Sequence, residues 1–561
     1  MGERAESRSG EVGETNKDVQ EIKAAGEAYA PATLRRLREA SSSNDVEPEP
    51  GRRGGGLRLE GRGFEDIIFS HWGPNPNKKP AERSPLADDA AKHCAELAAK
   101  LPGERLVIPA GAVRHRTWDT DFPFRTGTAF AHMTGLGRDL EADAALVIDP
   151  TVNADGTVGH HAAIFLEPAI DRTNPRFFSD SKHGEFWVGP RPLPADFHVM
   201  TGLDIRDMTE FENALRQGAG PDGIRIRVLR GYDPRIDALV DRVREETGLG
   251  DAAANRGLDA VLEQSSDECR IIKTPREINE IKRAVAATER GFDRVADVLP
   301  IARKVKRGER LLEATFTHSC RYEGNGIAFG TNAASGPRAT ILDYHANDHA
   351  LKDGDLFLLD AGVELDSLYA ADITRTMPVN GRFTEPQREI YQAVLDASNA
   401  AIAAANKPGA VYHDMLAAAL ESTARSLAKL GILPVSVEEA LRPDGHQHYR
   451  WLYHGTGHHL GIDVHDAYRS RNELYADAPL RPGMVFTLEP GLYFDAADEL
   501  VPERYRGIGV RIEDDLLVGE DGVTRLLSTF ARTPDEVEAW LAAHRPEDYL
   551  ASFLEHEAEC A

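Results

Sequence analysis

The sequence predicts a smaller α/β domain over residues 63–264 followed by a larger α+β domain over residues 265–540. Three observations lead to this prediction: short apolar runs that alternate with helical patterns, a strongly capped helix at the start of the second domain, and apolar strands interrupted there by acidic residues. With 561 residues, 41% of them hydrophobic, the chain is long enough to build two cores.

The first domain is predicted from its alternation. The runs "ERLVIPAG", "AALVIDP" and "HAAIFLEP" are apolar, short and ended by proline or glycine, which is typical of strands. The stretches "ADDAAKHCAELAAKL" and "DALVDRVREETG" have helical spacing. Alternation of this kind favours a layered α/β domain.

Both ends of the chain are predicted to lie outside the two domains. Residues 1–62 form a polar extension that includes "SSSNDVEPEPGRRGGG" and is too polar to build a core, so we expect it to be disordered. The segment "APATLRRLREA" within it has the pattern of one short helix. Residues 541–561 are predicted to form a helical tail.

A helix is predicted to open the second domain at "TPREINEIKRAVAATERGFDRVADVL". Thr274 has the residue type of an N-cap, Pro275 falls at the first helical position and Glu277 at the capping-box spacing. Two more helical patterns follow, and strand-like pieces lie between and after them: "DLFLLDAGVEL", "MVFTLEPGLYF" and "GIGVRIEDDLLV".

Composition excludes several classes of function. The formal net charge is −26, which argues against nucleic-acid binding and against adsorption to anionic membranes. The four cysteines are scattered without a CxxC pair, so neither a disulfide framework nor a thiolate zinc site is expected. The N-terminus has no apolar signal region and no run long enough to span a bilayer. We therefore expect a cytoplasmic protein.

Four strand-like segments each carry a carboxylate where a buried hydrophobic residue is expected. One such residue alone is more often solvated or salt-bridged than catalytic. Four in one domain are harder to explain, because ionised carboxylates share a core only when cations compensate them. Oxygen-rich ligation favours hard divalent ions such as Mn²⁺, and this number of ligands suits a two-metal centre. The four residues are Asp360, Asp372, Glu489 and Glu513.

The stretch "HGTGHHLGIDVHD", residues 454–466, contains four histidines. It could be a metal site, part of a catalytic pair or a histidine-rich loop. The i, i+4 pair His454 and His458 is spaced as in a helical zinc motif, but Gly455 and Gly457 make a helix unfavourable. The acidic residues elsewhere suggest that one of these histidines completes a carboxylate site.

Together these motifs resemble the aminopeptidase P and prolidase family of metallopeptidases. The resemblance rests on "LLDAGVELDSLYAADITRTMPVNGRFTEPQREIY", "HGTGHHLGIDVHD", "GMVFTLEPGLYF" and "YRGIGVRIEDDLLV", and it covers about residues 265–540. "FPFRTGTAFAHMTGL" and "GEFWVGPR" are similar to the N-terminal domain of the same family. The resemblance implies the pita-bread fold for the second domain.

The resemblance also implies a role for each matching residue. Two divalent metal ions, most commonly Mn²⁺ with Zn²⁺ or Co²⁺ as alternatives, are held by Asp360, Asp372, His458, Glu489 and Glu513. In the family Asp372 and Glu513 bridge the ions, Asp360 completes one shell, and His458 and Glu489 complete the other.

Further roles come from the same comparison. Glu489 is also the expected proton acceptor, His465 contacts substrate or the tetrahedral intermediate, His454 lines the proline pocket, and Arg511 is an active-site arginine. The implied reaction releases the N-terminal residue from a peptide whose second residue is proline. His459 is expected to be a packed or solvated histidine without a role.

Two departures from the family pattern stand out. Eleven residues separate Asp360 from Asp372, one more than the common spacing, and the extra residue is predicted to fall in a hairpin turn. In "ATILDYHAND" the family's pocket histidine falls on Asp343, with His345 two residues further on. Either His345 takes its place or the substrate pocket differs.

Alternatives within the same fold remain open at this stage. Prolidase uses the same ligands on dipeptides and is the close alternative. Metal-free binding proteins of this fold have lost ligand residues, whereas all five are present here. Methionine aminopeptidases have a similar ligand set but usually lack the large N-terminal domain. By analogy with the family we also expect a homo-oligomer, a dimer or tetramer.

Overall fold

The computed structural model describes residues 67–68, 70–118, 120–138 and 142–552. The expectations for residues 1–62, and for the last nine residues of the tail, lie outside the described residues. The described residues divide into two compact units, one formed by those up to 72 together with 170–188, the other by those within 73–169 and from 189 to 552. In the smaller unit Trp72 packs edge-on against Phe177, with ring centroids 5.9 Å apart.

The N-terminal part of the larger unit contains one five-stranded mixed sheet with helices packed around it. The elements are α1 (Ala87–Lys100), β1 (Glu104–Pro109), α2 (Thr128–Thr134), β2 (Ala145–Val152), β3 (Val158–Leu166), α3 (Pro194–Thr201), β4 (Asp204–Asp207), α4 (Phe211–Arg216), β5 (Arg225–Val228), α5 (Pro234–Glu246) and α6 (Ala252–Glu268). The strand order is β4-β3-β2-β1-β5, in which β1–β5 and β3–β4 are parallel and the other pairs antiparallel. The three strands predicted from apolar runs are confirmed as β1–β3.

The C-terminal part is an α+β domain in which long helices cover several small antiparallel sheets. The helical and strand elements are α7 (Pro275–Ala302), α8 (Gly308–Glu323), β6 (Gly326–Ile327), β7 (Asn332–Ser335), β8 (Leu356–Ala361), β9 (Val363–Glu364), β10 (Ile373–Pro378), α9 (Glu385–Ala405), α10 (Tyr412–Lys429), α11 (Val437–Ala440), α12 (Asn472–Tyr475), β11 (Val485–Leu488), β12 (Gly491–Tyr493), β13 (Gly509–Arg511), β14 (Asp514–Val518), β15 (Thr524–Leu526) and α13 (Pro534–Ala543). The strand orders of the sheets are β10-β8-β7, β11-β14-β15, β12-β13 and β6-β9.

Helix α7 begins where its capping signals predict. The Glu277 amide donates to Thr274 Oγ1 at 3.3 Å, and the Thr274 amide donates to Glu277 Oε2 at 2.6 Å. This reciprocal pair satisfies two amides that the first turn would otherwise leave free. The buried face of α7 contains Ile281, Ala284 and Val285, which pack in the main hydrophobic core.

Within the described residues, no helix combines the length and apolar character that a membrane crossing requires. Cys94, Cys269 and Cys320 are buried, and no disulfide joins these three residues. Helix α13 ends at Ala543, and residues 548–552 are helical again.

Candidate metal centre

Asp360 and Asp372 are brought together by an antiparallel hairpin. Asp360 lies near the end of β8, directly across from Thr374 in β10. Asp372 immediately precedes β10, and both aspartates are buried. The connection between the strands turns at Leu368, which adopts a φ of +69°. Both carboxylates lie in the site, and the position of the extra residue within this turn stays a prediction.

Glu489 and Glu513 enter from the neighbouring strands. Glu489 follows β11, and Glu513 lies in the break between β13 and β14, rather than within one continuous strand as predicted. The Glu513 amide donates to Thr374 O at 3.1 Å, and the Thr374 hydroxyl donates to Glu513 Oε2 at 2.7 Å. The strand break at Ile512 thus lets the Glu513 side chain approach the β8–β10 hairpin.

His458 completes the cluster. Its Nε2 atom lies 3.4 Å from Asp372 Oδ2 and 3.7 Å from Glu489 Oε1. One ligand-type atom from each of Asp372, His458 and Glu513 lies within 4.8 Å of the others. The backbone of His458 is fixed to β11, since the Thr487 amide donates to His458 O at 2.8 Å.

The electrostatics show that these side chains suit a bound cation. Burial and the neighbouring carboxylates raise the pKa of Asp372 and of Glu513, and they raise the pKa of Glu489 to about 7. Oδ1 of Asp360 and Oδ1 of Asp372 are buried without a hydrogen-bond partner. Unpartnered buried carboxylate oxygens are costly, and divalent ions with oxygen and imidazole ligands remove that cost.

Arg511 supplies the permanent positive charge of the site. It donates from Nη2 to Asp360 Oδ2, from Nη1 to the Tyr493 hydroxyl at 2.9 Å and from Nε to Thr374 Oγ1 at 3.1 Å. Nearby acidic groups raise the pKa of this buried guanidinium well above its ordinary value, although burial acts in the opposite direction. Arg511 thus orients Asp360 without occupying its second carboxylate oxygen.

His454 lies at the edge of the same cluster. Its Nε2 atom is 2.9 Å from the Tyr493 hydroxyl, and its Nδ1 atom is 3.6 Å from Glu489 Oε2. Burial and the charge of Arg511 lower the pKa of His454 to about 4. A neutral imidazole beside the carboxylates is available for hydrogen bonding.

His465 and His459 point in different directions. The exposed His465 ring stands edge-on to His458, with centroids 4.2 Å apart. His459 is fully buried and its Nε2 atom lies 3.0 Å from Tyr475 O. His459 is therefore a packed histidine, and His465 is the one whose ring borders the carboxylate cluster.

Asp343 and His345 are the two residues considered for the position of the family's pocket histidine. Asp343 and His345 are exposed on either side of the buried Tyr344. Burial and the charge of His458 lower the pKa of His465, and the Asp343 carboxylate opposes this effect. Asp343 is therefore within electrostatic range of His465, whereas the His345 ring lies over Gly330.

A second group of ligand-type side chains lies between α1, α2 and α7. Nε2 of His93 and Nε2 of His132 lie 3.4 and 3.2 Å from Glu277 Oε1. The two rings stack with centroids 3.8 Å apart and planes 21° apart. Two imidazoles bound to one tetrahedral zinc ion through Nε2 would have centroids about 5 Å apart. The observed centroid spacing is shorter, so this group does not fit a tetrahedral zinc ion bound through both Nε2 atoms.

Three polar residues of the site were not anticipated from the sequence. Thr374 holds Glu513, Tyr493 connects Arg511 with His454, and Asn332 donates from Nδ2 to Asp360 Oδ2 at 3.1 Å. Thr374 could have been found, because it lies two residues after Asp372 and so on the same strand face. Asn332 comes from a distant segment, β7, and has no such signal.

A centre of three buried carboxylates, a half-buried fourth and one imidazole in this α+β fold defines a metallopeptidase-type site. The model for metallopeptidase family M24 matches residues 279–520, and the model for the aminopeptidase P N-terminal domain matches residues 90–223.

Curated relatives and solved structures agree with the family models. Xaa-Pro aminopeptidase 1 of Streptomyces coelicolor is 44% identical over 82% of this chain and 87% of its own length. The Escherichia coli Xaa-Pro aminopeptidase is 32% identical over 79% of this chain and 95% of its own. The structure of E. coli aminopeptidase P with the inhibitor Pro-Leu superimposes with a TM-score of 0.67 at 31% identity, covering 82% of this chain and 98% of that one.

The chain therefore belongs to metallopeptidase family M24. It is a metallo-aminopeptidase with an aminopeptidase P-type N-terminal domain, and the expected pita-bread fold is confirmed.

Proposed function

We propose that this metallo-aminopeptidase removes the N-terminal residue from peptides whose second residue is proline. The convergence of Asp360, Asp372, His458, Glu489 and Glu513 in one cluster of buried and half-buried side chains is the observation that carries the proposal. The names of the relatives, Xaa-Pro aminopeptidases at 43–44% identity, support the same substrate class. They give no support to the dipeptidase alternative.

Two divalent ions would be held by these five residues, with Asp372 and Glu513 shared between them. Asp360 would complete the shell of one ion, and His458 and Glu489 that of the other. When bound, such ions activate a nucleophile near neutral pH and polarise a carbonyl group. The oxygen-rich ligand set favours Mn²⁺, which stays a prediction, as does assembly into a dimer or tetramer.

Side chains of this chain would accept the proton of the nucleophile and stabilise the negative charge that develops on the scissile carbonyl. Glu489 would accept the proton of the nucleophile, since its carboxylate faces both His458 and His454. His465, exposed beside His458, would donate to the oxyanion that forms at the scissile carbonyl.

Proline at the second position suits this arrangement. A Xaa-Pro bond has no amide hydrogen, so an enzyme that recognises backbone N–H groups loses one point of contact. A nucleophile activated by divalent ions would not depend on that hydrogen. His454, held by Tyr493, would contact the proline ring.

Kinetics on matched peptides test this proposal. The purified protein should contain divalent metal and cleave a Xaa-Pro-Xaa tripeptide, with little activity on the corresponding Xaa-Ala-Xaa peptide. A Xaa-Pro dipeptide separates the two related activities. Absence of divalent metal from active protein would refute the metallopeptidase mechanism, and exclusive cleavage of the dipeptide would establish a prolidase instead.

A further inference from the structure

We propose that Arg125 and Thr128, two residues of the N-terminal domain, are positioning residues for the reaction and act by holding the loop that carries His465. This inference rests on the proposed role of His465. It assigns to the N-terminal domain a part in catalysis that its distance in sequence from the metal centre does not suggest.

The His465 loop, residues 459–466, has no regular secondary structure. It is closed by the Asp466 amide, which donates to His459 O at 2.8 Å. Within it the Gly461 amide donates to Asp463 O at 3.1 Å. A loop with so few internal hydrogen bonds depends on its surroundings for a fixed position.

Arg125 holds this loop by its backbone. Its Nη2 atom donates to Ile462 O at 2.8 Å, three residues before His465, and its Nε atom donates to Glu364 Oε2 at 2.6 Å. Glu364 is buried in β9 and also accepts a hydrogen bond from Asn325. The planar guanidinium therefore connects the loop to a strand that is itself fixed.

Thr128 holds the next residue of the loop by its side chain. The Thr128 hydroxyl donates to Asp463 Oδ1 at 2.5 Å from the first turn of α2. Thr128 is buried, and Arg125 Nη1 lies 3.3 Å from its oxygen. The two residues thus form one connected group.

The other side of His465 is fixed separately. Arg270 donates from Nε to Asp466 Oδ1 at 2.8 Å, and Lys273 Nζ lies 3.0 Å from Asp466 Oδ2. All three of these side chains are buried. His465 is therefore the exposed residue of a segment that is held on both sides, and release of one side would let its ring move relative to the carboxylates.

Steady-state kinetics on a Xaa-Pro-Xaa peptide test the inference. Because a misplacement of about 1 Å can cost about a hundredfold in rate, Arg125→Ala should lower kcat by about ten- to a hundredfold, with a much smaller change in KM. Thr128→Val should act in the same direction. Thr128→Ser, which keeps the hydroxyl, should restore most of the wild-type rate.

A double-mutant comparison separates positioning from a general structural role. In a His465→Ala background, Arg125→Ala should cost no further activity, because its effect passes through the missing ring. The matched control is Arg138→Ala, which removes an ion pair of 2.9 Å between the same domains, to Asp366, a residue outside the loop.

The outcomes can be told apart. Wild-type cleavage of the peptide establishes the proposed function independently. Additive losses in the double variant, or equal kcat values for Arg125→Ala and Arg138→Ala, would overturn the positioning role. No effect of His465→Ala would overturn that role together with the function assigned to His465, and would leave the metal centre unaffected.

Discussion

Arg511 donates a hydrogen bond to Asp360, so the one permanent cation of the site neutralises only one of its four carboxylates. Three acidic side chains then remain, with His458 as the other group that can carry a positive charge. Burial and mutual repulsion raise the pKa of Glu489 and Glu513 for this reason. The arrangement is stable with ionised carboxylates only when divalent cations supply the missing charge.

We therefore expect about two divalent ions per chain, with activity that depends on them. Chelation should abolish hydrolysis and Mn²⁺ should restore it. Asp372→Ala should lower the metal content measured by atomic emission, because this carboxylate is shared by both proposed sites. His93→Ala is the control and should leave the metal content unchanged. A loss of one ion in that control would show that the stacked histidines bind metal.

Glu489→Ala should abolish activity while the fold survives. Removing a general base typically costs about 10²- to 10⁴-fold, and loss of a metal ligand adds to this cost. The far-ultraviolet circular dichroism spectrum should match that of the wild type. Glu499→Ala, at an exposed glutamate in the hairpin that follows, should keep full activity. Activity of Glu489→Ala within a few-fold of wild type would mean that the site is misassigned.

Tyr493→Phe should lower kcat by about ten- to a hundredfold, since a hydrogen bond to a charged group contributes about 1.5–3 kcal/mol. The substitution leaves Arg511 Nη1 and His454 Nε2 without their shared partner. The metal content should not change. Tyr453→Phe is the matched control, because that hydroxyl donates only to Thr340 O at 2.9 Å and the residue is 49% exposed. Equal rates for the two variants would argue against a role for Tyr493.

The stacked histidines should make the protein sensitive to acid. Burial and the charge of His93 lower the pKa of His132 to about 4, from an ordinary value of 6.5. The unfolded chain therefore binds more protons than the folded one between these values, and the free energy of unfolding should fall as pH falls from about 6.5 to 4. Below pH 4 this contribution is constant.

Chemical denaturation across that pH range measures the effect. His132→Gln should flatten the dependence of stability on pH between 6.5 and 4. An unchanged slope in His132→Gln would show that the acid sensitivity has another source.

Much of the fold and of the ligand set follows from local sequence. The α7 capping box at Thr274 and Glu277 depends on residues three apart, and the apolar strands of the first sheet have their own pattern. Four of the five ligand-type residues are evident from the sequence because a carboxylate is unusual at a strand position, whereas the resemblance to a family singled out His458 and gave each residue its role.

Only the tertiary structure brings the supporting residues into place. Asn332 and Asp360 are far apart in the chain and meet because β7 and β8 pair. Arg125 reaches Ile462 across 337 positions. Local sequence patterns report the backbone's preference over a few residues, whereas these contacts depend on how sheets and domains pack. The sequence by itself determined which residues can bind metal; packing decided which polar groups orient them and how the His465 loop is held.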